Sequence, residues 1–358
     1  MTDTDGTAES ARGPAPDVMN RSPGAVPEPG RGLLVVGDVV TDVVARHDEP
    51  LAPHTDTAAR IAVLPGGAGA NVACWAARYG AGVRLLARVG ADSAEWHRAA
   101  LLTAGVEPVL RVDDALPTAV VVALVDAAAE RTLVTDSGAA FRLGPGDWDE
   151  ALLDGGARGI GRIHLSGYLY FSAPGRTLAA TVRKAAAVRG IPASVDPASA
   201  GFLRRLGPGA FLDAVQGLDL LLPNAAEAAL LSGHDEPAAA AASLSARCGG
   251  ATVVVTLGAA GAVAAERGAV VATAMAPHTA AVDTTGAGDA FTGGLLAARL
   301  AGAGLAEALA AGCRAGAEAV TVVGGRPRLR DPAHPGAAHE STRPEAELQA
   351  PAHIDPPM

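Results

Sequence analysis

The stretch Asp283-Thr-Thr-Gly-Ala-Gly-Asp289 is the part of the chain best suited to chemistry. An apolar segment of helical period, residues 290–300, follows it. Small residues at the start of a helix leave backbone N–H groups unpaired and accessible. The helix dipole adds partial positive charge, so Gly286, Ala287 and Gly288 are expected to form an anion site. A carboxylate at Asp289 is placed to take a proton from a hydroxyl. The neighbouring N–H groups would then stabilise charge growing on a transferred phosphoryl group. Taken alone, the stretch also reads as a glycine-rich turn with Asp as a helix cap.

Other candidates are weaker one by one. In Leu64-Pro-Gly-Gly-Ala-Gly-Ala-Asn71, Gly66 and Gly67 permit close approach of backbone to a ligand, and the Asn71 amide both donates and accepts. Asp42 stands one turn beyond a buried apolar run, where a carboxylate can accept from two hydroxyls; Asp38, nearer the run, is the second choice. Asn224-Ala-Ala-Glu227 is by itself a capping box. Thr256 and Gly258 close a buried strand and alone indicate a turn. His164 has the setting of a packed strand residue.

Several chemistries lack their residues. Lys184 is the only lysine and sits on a helix-like stretch, so a P-loop or protein-kinase lysine is missing and Schiff-base chemistry is disfavoured. The dinucleotide spacing G-x-G-x-x-G fails, because Val72 holds the last position counted from Gly67 and Phe291 that counted from Gly286. Gly-x-Ser-x-Gly and H-E-x-x-H do not occur.

These residues must be positioned by the elements around them. Gly32-Leu-Leu-Val-Val-Gly37 reads as a buried parallel strand. A helix is expected at 70–79 and a strand at 83–88. A capping box at Asp92 and Glu95 should open a helix running to Thr103. Further strands are expected at 162–165, 191–195, 218–222 and 252–256, with helices between. Such alternation predicts a mainly parallel sheet covered on both faces. Strand-like stretches at 42–48 and 59–64, and at 118–126 and 131–136 joined by Ala-Ala-Ala-Glu, lack intervening helices. They predict a four-stranded β lid, near 42–64 and 117–136, able to close over a substrate. Residues 1–30 and the Pro-rich 326–358 read as disordered tails, leaving an ordered body at 31–325.

The bulk properties narrow the field. With 49% hydrophobic residues, the 358-residue chain can bury a large core. A formal net charge of −10 and an aromatic share of 3% argue against nucleic-acid and membrane-surface roles. Cys74, Cys248 and Cys313 lie far apart in apolar settings, which suits reduced thiols in the cytoplasm.

Taken together, the motifs resemble those of the ribokinase-like (PfkB) carbohydrate kinases over essentially all of 31–325. Asp283 to Asp289 resembles the family's DTxGAGD signature, Leu64 to Asn71 its N-terminal Gly-Gly signature, and Gly37 to Asp42 the end of its first strand. Pro223-Asn-Ala-Ala-Glu227 and Thr256-Leu-Gly-Ala-Ala-Gly261 resemble its metal–phosphate and nucleotide motifs. The resemblance implies a three-layer α/β/α sandwich with the lid, and ATP-dependent phosphorylation of a small ribose- or fructose-like sugar. It implies Asp289 as base over an anion hole at Gly286, Ala287 and Gly288. Asp42, Gly66, Gly67 and Asn71 would bind substrate, and Asn224, Thr256, Gly258 and Gly261 the nucleotide. Glu227 would hold Mg²⁺ through water, and Asp283 and Thr285 a monovalent cation such as K⁺. A homodimer through the lid also follows from the likeness.

One departure bears on the substrate. Ribokinases proper tend to carry a carboxylate where this chain has His164-Leu-Ser-Gly-Tyr168. A nucleoside or a keto-sugar acid therefore stands as an alternative acceptor, with Arg46, Arg60 and Arg131 on the lid available to an acid. The other alternative is a non-catalytic sugar- or nucleotide-binding protein on the same fold.

Overall fold

An apolar run with no polar face must be covered on both sides. All five residues of β1 (Gly32–Val36) are buried. Leu34 and Val36 pack into one core cluster, and Leu33 and Val35 into another. The computed structural model of the chain describes residues 32–127, 131–154 and 159–328, with only the backbone of Arg131. The expected tail at 1–30, nearly all of that at 326–358 and most of the Ala-Ala-Ala-Glu connection lie outside the described residues.

β1 lies within a nine-stranded sheet. Its members are β4 (Gly82–Gly90), β5 (Val106–Asp113), β8 (Ile160–Ser166), β9 (Ala193–Asp196), β10 (Leu220–Leu221), β11 (Thr252–Thr256), β12 (Ala262–Glu266) and β13 (Ala269–Ala274). Their order is β13-β12-β11-β10-β9-β8-β1-β4-β5. Pairing is parallel from β5 to β11 and antiparallel through β12 and β13. One face is covered by α1 (Ala68–Arg78), α2 (Ala94–Thr103), α8 (Ala287–Leu300) and α9 (Leu305–Ala319). The other is covered by α3 (Ala173–Val188), α4 (Ala200–Leu206), α5 (Pro208–Ala214), α6 (Ala225–Ser232) and α7 (Pro237–Arg247). This is the three-layer α/β/α sandwich expected.

The lid is a separate four-stranded sheet in the order β3-β2-β6-β7. Its strands are β2 (Val40–Arg46), β3 (Arg60–Gly66), β6 (Ala119–Val125) and β7 (Arg131–Asp136). β2 and β6 pair in parallel between two antiparallel pairs. Among the described residues, no helix is long and apolar enough to cross a membrane.

Some local expectations fail. Edge strand β5 and the β12–β13 hairpin are not legible as strands in the sequence reading. The capping box at Asp92 and Glu95 does not form. Asp92 instead accepts from the Thr118 N–H at 2.9 Å and from its hydroxyl at 3.2 Å, while Ser93 is the N-cap and makes no side-chain cap bond. A lid contact between chain segments therefore overrides the local cap. Helix α8 starts at Ala287, so Asp289 lies in its first turn.

Candidate active site

Parallel strands deliver their C-terminal ends to one edge of the sheet, where α/β proteins bind ligands. Asp38 follows β1, Asp196 ends β9, Asn224 follows β10 and Thr256 ends β11. Between this edge and the lid lies a cavity of about 480 Å³. Its polar lining includes Asp38, Asp42, Asn71, Asp196, Glu227 and Asp289.

Asp289 is held from another helix. Its Oδ2 accepts from Asn71 Nδ2 at 2.8 Å. Burial pushes its carboxyl well above the ordinary range, and the carboxylates of Asp196, Asp38 and Asp42 add to this; the Asn71 amide opposes it. Gly286 is the N-cap of α8, has φ 71° and gives no side-chain cap. A side chain there would also meet the Cα of Gly325 at 2.5 Å. Gly286, Ala287 and Gly288 line the cavity beside Asp289, so the first turn of α8 presents its backbone to the site.

The two acids of the first strand end differ in occupation. Asp38 accepts from the N–H groups of Ala68 at 2.7 Å and Gly69 at 3.2 Å, and from Ser166 Oγ at 2.7 Å. It is thereby committed to holding the start of α1. Asp42, on β2 of the lid, is pushed up to about 6, chiefly by burial and further by Asp38 and Asp283, against the Arg326 guanidinium. Asp42 also lines the cavity.

Gly66 does not line the cavity, whereas Gly67 does. A side chain at Gly66 would run into the Asp42 carboxylate, so this glycine makes room for the acid. Its carbonyl accepts from Arg326 Nη2 at 3.0 Å. Arg326 therefore packs against the body although the sequence reading puts it in the tail.

Asn224 and Glu227 form the capping box in full. The Asn224 side chain accepts from the Glu227 N–H at 2.9 Å, and Glu227 Oε2 from the Asn224 N–H at 2.9 Å. Glu227 is only 2% exposed, yet lines the cavity. Burial and the facing Asp196 push it up to about 8, and burial brings Asp196 to about 6. A cap alone would be cheaper at a solvated position, so the burial of Glu227 is what the capping reading leaves unexplained.

Thr256 lines the cavity; Gly258 and Gly261 do not. They form the turn from β11 into β12, where a side chain at Gly261 would collide with the Ala274 carbonyl. Asp283 Oδ1 accepts from the Thr285 N–H at 2.9 Å and hydroxyl at 2.7 Å, and its Oδ2 from the Gly324 N–H at 3.0 Å. These oxygens hold a turn, and a potassium site is not supported by the arrangement. Among the described residues, no group of three or more His, Cys, Asp or Glu is placed to hold a metal ion. His164 is buried and bonds Ser194 Oγ at 3.1 Å, as a packed strand residue does.

Asp196, Tyr168 and Arg326 are at or beside the site without belonging to any of its sequence motifs. Asp196 could have been found by asking which residue ends each parallel strand, since its strand was expected to stop one residue earlier. Arg326 carries no local signal. Arg46 lines the cavity, 3.9 Å from Asp283, whereas Arg60 does not line it.

This fold and site are those of an α/β protein that takes a small ligand between the carboxyl edge of its sheet and a β lid. The chain belongs to the pfkB family carbohydrate kinases, whose family model matches residues 31–331. A fructokinase of Klebsiella pneumoniae is 34% identical over 288 residues, spanning 78% of this chain and 87% of that protein. The protein is accordingly a phosphotransferase with a hydroxyl acceptor. Two solved structures share the fold. A ribokinase of Thermotoga maritima is 26% identical with a TM-score of 0.69, covering 82% of this chain and 94% of its own. An E. coli protein of ribokinase II type, solved with ATP and Mg²⁺, is 23% identical with a TM-score of 0.72, covering 82% and 94%.

Proposed function

We propose that the protein phosphorylates a hydroxyl of a sugar-like acceptor with ATP as donor and Asp289 as base. The observation that carries this reading is the Asp289 carboxylate, fixed by Asn71 at 2.8 Å beside the uncapped first turn of α8. A raised carboxyl pKa suits a group that must accept a proton near neutrality. Asp42, Asn71 and Gly67 bind the acceptor hydroxyls, with Gly66 making room for Asp42, and the lid excludes water.

The residues present fit a nucleotide and Mg²⁺. The N–H groups of Gly286, Ala287 and Gly288 suit phosphate oxygens. Buried Glu227, with Asp196 nearby, suits a hydrated divalent cation, which is normally held by one or two carboxylates plus water and phosphates. Asn224 and Thr256, at the sheet edge, would reach the phosphates. Bound nucleotide supplies the phosphoryl group and Mg²⁺ offsets its charge. The chain's own contribution is positioning and electrostatics, with proton abstraction by Asp289.

The ordered kinase body is taken as 31–325 with Arg326 attached, acting in the cytoplasm. A homodimer through the lid is supported by the sheet's outer row. Val63, Val43, Val122 and Val134 are paired across all four strands, away from the cavity-lining row of Asp42, Val121 and Thr135. Val63 is 56% and Val134 58% exposed in the single chain. Sedimentation of wild type beside Val63→Lys tests this: a dimer that the lysine dissociates is expected, and a monomeric wild type would overturn it.

The kinase reading is tested by ADP release with ATP and Mg²⁺ against sugars, sugar acids and nucleosides, with Asp289→Asn alongside. Acceptor-stimulated release by wild type alone is expected. Nucleotide binding without turnover on any acceptor would favour a non-catalytic binding protein.

A further inference from the structure

We propose that the acceptor is a nucleoside, a pentose carrying a nitrogen heterocycle, rather than a free sugar. This rests on the kinase reading and concerns the acceptor half of the same cavity. Phe141, Tyr168 and Phe202 line one wall. Phe202 lies edge-on to Tyr168 at 5.7 Å and to Phe141 at 6.0 Å between ring centroids, with Phe171 stacked on it at 5.0 Å.

Aromatic residues are scarce in this chain, yet three of its five phenylalanines meet here. Phe171 packs against the core, and the rings in front of it reach the cavity. Phe211 and Phe291 are buried, whereas Phe141, Tyr168 and Phe202 are half-buried and line the cavity, the Phe202 ring also carrying the Arg205 guanidinium 4.3 Å from its centroid. The roof continues the apolar wall, since Val44, Val121, Ala123 and Leu133 of the lid face the same space. Leu133 is 61% exposed although it points into the cavity.

A free pentose or hexose presents hydroxyls on every side. Against this wall they would lose water without finding partners. A flat apolar substituent on the sugar matches the wall instead. The hydroxyls of the pentose itself meet Asn71 and Asp289 of the body, together with Asp42, which lies on the lid beside Val121. Tyr168 lines the same cavity as these residues, and burial, then the Asp38 and Asp289 carboxylates, push its hydroxyl pKa up. Thr135, Asp136 and Ser137 also line the cavity, on the stretch leading to Phe141. They offer donors and acceptors to the edge of a heterocycle, which an alkyl substituent would leave unused.

The test compares kcat/KM for ribonucleosides, free ribose, free fructose and methyl riboside on wild-type protein. A nucleoside is expected to exceed ribose, fructose and methyl riboside by tenfold or more. Equal or better use of a free sugar, or of methyl riboside, would overturn the proposal while leaving the kinase reading intact. Absence of turnover on every acceptor would instead sink the kinase reading and this proposal with it. Phe141→Leu keeps apolar bulk without the ring and should lower the nucleoside-to-ribose ratio at least fivefold. An unchanged ratio in a variant with wild-type melting would overturn the role of the wall.

Discussion

Asn71 Nδ2 donates to the Asp289 carboxylate at 2.8 Å, joining the start of α1 to the first turn of α8 across 218 residues of sequence. Both residues line the cavity, so the bond ties the Gly-Gly turn on the acceptor side to the proposed base. Among the described residues it is the hydrogen bond that favours the ionised form of an acid otherwise pushed towards protonation by burial and three neighbouring carboxylates.

Asp289→Asn keeps the shape of the side chain and removes its basicity. We expect kcat to fall by ~10²–10⁴, the range for a positioned general base. Nucleotide affinity, read by titration calorimetry, should stay within a few-fold of wild type. Retained turnover would exclude Asp289 as the base.

Asn71→Ala removes the amide that stabilises ionised Asp289. The carboxyl pKa should rise further, so the acid limb of the kcat/KM profile should move to higher pH. A limb that stays in place while activity drops would mean that Asn71 serves only acceptor binding.

Glu227→Gln keeps an acceptor for the Asn224 N–H and discards the charge. The helix cap is worth about 1 kcal/mol, so melting should change little. The Mg²⁺ concentration for half-maximal activity should rise at least several-fold. An unaltered Mg²⁺ requirement would reduce Glu227 to a structural cap.

Arg326→Met removes the guanidinium that donates to the Gly66 carbonyl and opposes protonation of Asp42. Its Nε and Nη1 have no hydrogen-bond partner among the described residues, so its effect on Asp42 is chiefly that of a nearby charge. We expect the acceptor KM to rise by about tenfold, equivalent to about 1.4 kcal/mol. The rise should be steepest below neutrality, where Asp42 is more readily protonated. A KM unchanged across pH would leave Arg326 as a packing residue.

Four cavity acids have raised pKa values in the folded protein: Asp42 and Asp196 to about 6, Glu227 to about 8, and Asp289 well above the ordinary range. In this window the native state binds more protons than the unfolded chain, so stability falls as pH rises. Their contribution is fully present below the ordinary carboxylate range and is lost as pH passes through the folded values. The ligand-free protein should therefore melt lower at pH 8 than at pH 5.5, and ATP with Mg²⁺ should recover part of the loss at pH 8. A melting temperature that climbs steadily over this range would contradict the raised values.

Much of the architecture is legible in the chain itself. Apolar runs such as Gly32 to Val36 cannot be solvated on either face, and their alternation with helical periods leaves a covered parallel sheet as the solution. The Asp283 to Asp289 motif is equally local, because small residues, a helix start and a carboxylate are consecutive. What local pattern could not decide was which of two compatible roles a residue takes. Asp92 has the spacing of a cap yet is claimed by Thr118. Asp38 and Asp42 look alike in sequence, but three donors occupy the first. Gly258 and Gly261 match a nucleotide motif and yet lie outside the cavity lining. Arg326 and the Phe141–Tyr168–Phe202 wall have no sequence signature at all, because separate elements meet there only when the sheet, helices and lid are assembled. Burial, charge proximity and hydrogen-bond competition are properties of that assembly, and they determine which acid is free to act.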